Sequence, residues 1–86
     1  MTPESAFGAV LRAARRERGL SQEQLAFASG YHRNFIGLLE RGLRSPSLAT
    51  VFRLALVLEM TPVDLIDRTQ ALGPSVSPRL PAGESP

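Results

Sequence analysis

Eighty-six residues leave room for one small domain with a modest core. Without cysteine there is no disulfide framework and no thiolate chemistry, and the longest apolar run, Leu54 to Leu58, is far too short to span a bilayer. The net charge of +2 is uneven: from Arg12 to Arg53 eight arginines face only Glu17, Glu23 and Glu40, a local balance of +5 that points to a polyanionic partner.

In chain order, the first helix is expected from about Glu4 to Arg18. Phe7, Val10, Leu11 and Ala14 form its apolar stripe and Gly19 ends it. Ser21 then serves as an N-cap, with Gln24 completing a capping box, and "QEQLAFAS" runs to Gly30. A third helix spans about His32 to Arg41. Phe35, Ile36 and Leu39 share its apolar side, while Arg33, Asn34, Gly37, Leu38 and Arg41 form a second face that no core requires. Ser47 caps a fourth helix, about Leu48 to Leu58, and Thr61-Pro62 opens a short fifth. No alternating strand pattern or internal repeat is present. These signals predict an all-α fold, a compact five-helix bundle over residues 1–68. Residues 69–86 hold four prolines in eighteen residues and are expected to be a disordered or extended tail.

The spacing of Ala26, Gly30, Ile36 and Leu39, sealed by Leu20 and Leu25, fits two helices that cross steeply after a tight turn. Such a helix-turn-helix can lay its second helix in the DNA major groove. The fourth and fifth helices carry more apolar residues than one core face needs. Leu48, Val51, Ala55, Leu58 and Leu65 suffice for the core, leaving Phe52, Leu56, Val63 and Ile66 for a homodimer interface.

The stretches "GLSQEQLA", "IGLLERG" and "SPSLATV" resemble the hallmark segments of the phage Cro/repressor (XRE-type) helix-turn-helix regulators. The resemblance covers about Phe7 to Arg68. It implies a lambda repressor-like DNA-binding domain acting in the cytoplasm as a transcriptional regulator, with double-stranded operator DNA as partner and dimerisation as the usual state. By position it implies base contacts from His32, Arg33, Asn34 and Leu38. It likewise implies phosphate contacts from Gln22, Arg41 and Arg44. Arg12, Arg16 and Arg18 are expected to form a solvated face of the first helix, from which Arg16 can reach phosphate. Arginine matches guanine, asparagine matches adenine and an apolar group fits the thymine methyl. Arg15 and Glu40 match positions that pair between the first and third helices. In this pattern Leu38 stands where a polar reader is common. Gly37 stands where a larger residue is usual, at a cost of about 1 kcal/mol of helix stability against alanine.

Catalysis is not expected. One histidine, no glycine-rich phosphate loop and no metal-ligand spacing leave no site to build on, and no cofactor, small-molecule ligand or membrane contact is implied. The competing reading is a small protein-interaction module such as an antitoxin-like subunit.

Overall fold

Five helices follow one another in the computed structural model, which describes residues 1–79: α1 (Pro3–Glu17), α2 (Gln22–Ser29), α3 (Arg33–Glu40), α4 (Leu48–Val57) and α5 (Pro62–Ala71). Each start is fixed by a side chain that accepts an orphan backbone N–H. Thr2 accepts from Ser5, Thr61 from Asp64 and Ser47 from Thr50, each at 3.1 Å. Ser21 and Gln24 form a reciprocal capping box at 3.0 and 2.8 Å. Proline occupies the first turn of both α1 and α5, where its missing donor is harmless.

α1 packs on α3 and α5, α2 on α3 and α4, and α4 on α5. Leu11, Leu25, Ile36, Leu39, Leu54, Leu58 and Leu65 are fully buried between them. Each contributes about 1.5–3 kcal/mol relative to remaining exposed. At Gly8 an added Cβ would press on the Leu39 carbonyl oxygen and lie 2.6 Å from that of Glu40, so α1 and α3 meet backbone to backbone. Gly30 makes the turn of the helix-turn-helix with φ +77°, which lets the Tyr31 N–H reach back to the Ala26 carbonyl at 2.9 Å. The matching position after α4 is filled by Glu59 at φ 55°, the single non-glycine residue in that region among those described.

Two expectations are corrected. Leu48, expected in the core, is 74% exposed. It lies on the row Leu48, Phe52, Leu56, which faces outward, and the fully buried Leu54 fills the core in its place. The fifth helix does not stop at residue 68: it continues to Ala71, with Thr69 buried and its hydroxyl donating to the Leu65 carbonyl at 2.7 Å. Beyond it, residues 73–79 form neither helix nor strand, and the Ser75 N–H donates to the Met1 carbonyl at 3.1 Å. The rest of the predicted disordered tail, residues 80–86, lies outside the described residues.

Candidate nucleic-acid interface

α3 is short, and its two sides differ in kind. Ile36 and Leu39 are fully buried, whereas Arg33 and Asn34 at its first turn are exposed. His32 is the N-cap: its Nδ1 accepts the Asn34 N–H at 3.1 Å, which leaves Nε2 as the ring atom able to donate outward when the imidazole is neutral. Leu38, placed by the sequence on the same face, is half-buried, unlike the exposed Arg33 and Asn34.

The start of α2 meets this face. Gln22, Arg33, Asn34, Gly37 and Arg41 line one shallow hollow of about 310 Å³. An added Cβ at Gly37 would sit 3.9 Å from the Gln22 side-chain oxygen, an ordinary contact, so nothing among the described residues requires glycine there. Arg41 lies back along its own helix, Nε donating to the Gly37 carbonyl at 3.2 Å.

Behind the hollow lies the Arg15–Glu40 pair. Arg15 Nε and Nη2 donate to Glu40 Oε2 and Oε1 at 2.6 and 3.0 Å, and Nη1 donates to the Leu20 carbonyl at 2.8 Å. Gln22 Nε2 also donates to Glu40 Oε1, at 3.1 Å. The hydrogen bonds to Glu40 raise the pKa of Arg15 above its usual value, against the opposing effect of burial. Glu40 is thereby satisfied by a bidentate guanidinium and an amide, and its charge is neutralised before it can repel a nearby phosphate. It also holds one N–H of Gln22, fixing the orientation of the amide and leaving the second N–H for an outside acceptor.

Arg44 lies outside the hollow. Its guanidinium sits over the Phe35 ring at 5.6 Å; Phe35 in turn lies 5.0 Å from Tyr31, and Arg53 covers Tyr31 at 5.3 Å. The Tyr31 hydroxyl meets the buried Thr50 hydroxyl at 2.9 Å, and Thr50 meets Ser47 at 2.9 Å. Sequence reasoning missed this ladder. Its only trace was the four-residue spacing of Tyr31 and Phe35, because Arg53 and Thr50 come from a different helix. Arg16 is exposed on α1.

Phe52 and Leu56 are 56% and 78% exposed. With Leu48, Ala49, Met60 and Pro62 they line an open apolar groove of about 800 Å³, with Arg53 at its rim. Ile66 lines an adjoining hollow shared with Leu48, while Val63 is exposed but lines neither.

The helix-turn-helix family HTH_3 matches residues 11–65. Control protein C.BamHI of Bacillus amyloliquefaciens is 39% identical over 64 residues, 73% of this chain and 79% of that protein. Among solved structures, the restriction-modification controller protein C.AhdI of Aeromonas hydrophila aligns with a TM-score of 0.69 at 46% identity, over 71% of this chain and 92% of that one. The controller protein C.Esp1396I, solved as a tetramer in complex with its natural 35 base-pair operator, aligns with a TM-score of 0.74 at 25% identity, over 83% of this chain and 93% of that one.

Proposed function

This chain belongs to the HTH_3 helix-turn-helix family of DNA-binding transcriptional regulators, which are not enzymes, and from that premise we propose that it reads a two-fold symmetric operator as a homodimer with α3 in the major groove. The observation that carries this reading is the exposed first turn of α3, Arg33 and Asn34, held beside Gln22 and Arg41 in one hollow. His32, Arg33, Asn34 and Leu38 face the base edges; Gln22, Arg16, Arg41 and Arg44 hold phosphates and set register. The apolar strip of Phe52, Leu56, Val63 and Ile66, extended by Leu48, is covered by a second copy. Among the described residues, 73–79 lie outside the five helices. No helix among the described residues is long and apolar enough to cross a membrane; the cytoplasm, where operator DNA is met, is the place of action.

Similarity to the restriction-modification controller protein C.AhdI, and to the control proteins C.BamHI and C.SmaI, supports a narrower reading, in which the operator controls restriction-modification genes. Selecting sites from a random duplex pool tests both readings at once. A symmetric consensus found upstream of restriction-modification genes supports both. A symmetric consensus found elsewhere supports only the first. An antitoxin-like interaction module would bind random duplex DNA weakly and without a steep salt dependence.

A further inference from the structure

A second cleft adjoins the reading face. About 380 Å³ in volume, it lies between α1 and the end of α3, and Arg12, Arg15, Arg16, Gln22, Glu40 and Arg41 line it. It shares Gln22 and Arg41 with the hollow at Arg33 and Asn34, so the two form one continuous surface.

Its charge is unbalanced. Glu40, the single acid among the described residues that line the cleft, is paired with Arg15. Arg18, further along α1, is paired with Glu59 and does not line the cleft. Among the described residues Arg12, Arg16 and Arg41 have no ion-pair partner. Arg12 and Arg16 are four residues apart and therefore neighbours on one face of α1. Three uncompensated guanidiniums thus surround a cleft that opens beside the amide of Gln22. Arginine is suited to phosphate because its planar fork matches the oxygens bidentately and is weakly hydrated.

We infer that Arg12 is a phosphate-binding residue: α1 supplies the second wall of a channel in which one DNA backbone runs between Arg12 and Arg16 on one side and Arg41 on the other. The inference rests on the duplex-DNA reading above. It adds to the helix-turn-helix a sequence-independent grip from a helix outside the motif, placed to fix the angle at which α3 enters the groove.

The test is a salt series. The affinities of the wild type, Arg12→Ala, Arg12→Lys and Arg18→Ala for the selected operator and for a random duplex are measured at several salt concentrations. Arg12→Ala is expected to lower both affinities by the same factor and to reduce the slope of log affinity against log salt by about 0.9, one released counterion. Arg12→Lys should restore most of that slope, and Arg18→Ala should leave it unchanged. Arg12 is exposed, so the melting temperature of Arg12→Ala should match the wild type. A wild-type slope in Arg12→Ala overturns the inference while leaving the DNA reading intact. An equal loss of slope in Arg18→Ala also overturns it, by showing a diffuse field instead of a contact. If the wild type fails to bind duplex DNA even at low salt, the DNA reading itself fails and takes this inference with it.

Discussion

Arg15 and Glu40, twenty-five residues apart, meet through two hydrogen bonds of 2.6 and 3.0 Å with side chains only 10% and 3% exposed. The pair ties α1 to the end of α3 and, through Glu40, holds the amide of Gln22. Removing one partner leaves the other charge buried and uncompensated, at about 3–5 kcal/mol. Arg15→Ala and Glu40→Ala are therefore each expected to lower the midpoint of urea unfolding sharply. The double variant should lose less than the sum of the two, which a double-mutant cycle would read directly.

The same pair sets a pH dependence. A basic group whose pKa rises on folding contributes stability that is fully present below its unfolded pKa and lost as pH climbs through the folded value. The pKa of Arg15 is raised above an already high ordinary value. Its contribution should therefore stay constant across neutral pH and disappear only in strong alkali, which denaturant titrations of the wild type across that range would read.

Gly8 and Gly37 make a contrasting pair. At Gly8 an added Cβ would press on the backbone of α3, 2.6 Å from the Glu40 carbonyl oxygen; at Gly37 it would touch only the Gln22 amide at 3.9 Å. Gly8→Ala should destabilise by about 1–3 kcal/mol through overpacking. Gly37→Ala should instead stabilise the fold by about 1 kcal/mol while weakening operator binding, because α3 could no longer sit as close to the groove wall. Thermal melts and operator titrations of the two variants separate the effects. A Gly37→Ala variant that gains stability and keeps full affinity would show that no close approach occurs there.

How much of this was legible in advance follows from where each signal resides. Helix starts were readable because Ser21, Ser47 and Thr61 act on N–H groups three residues away. The core stripe of α1 was readable from its spacing, and Arg15 with Glu40 from resemblance alone. The exposure of Leu48 was not readable: an apolar residue on the edge of a helix stripe can fall on either side, and the outcome depends on how α4 is rotated against α5. Nor was the ladder of Arg53, Tyr31, Phe35 and Arg44, or the convergence of Arg12 with Arg41, because each joins side chains of different elements, which local spacing does not register.

The apolar groove gives a further prediction. Phe52→Arg with Leu56→Glu places charges on a face where both native residues are mainly exposed in the single chain, so folding should be kept. Association should be lost. Sedimentation is expected to show a dimer for the wild type at tens of micromolar and a monomer for the double variant, with a large drop in operator affinity because two half-sites are no longer held together. A wild type that is monomeric at that concentration, with or without operator, would rule out the proposed interface.

Site selection from a random duplex pool, run in parallel for the wild type, Arg33→Ala and Asn34→Ala, tests the central claim most directly. The wild type is expected to yield a symmetric consensus with half-sites roughly 34 Å apart. Arg33→Ala should relax the preference at one guanine in each half-site and Asn34→Ala at one adenine, each discriminating contact being worth about 1–3 kcal/mol. Affinity for unselected duplex should be nearly unchanged in both. No enriched consensus for the wild type, or one that survives both substitutions unaltered, would contradict the assignment of the first turn of α3 as the reading surface.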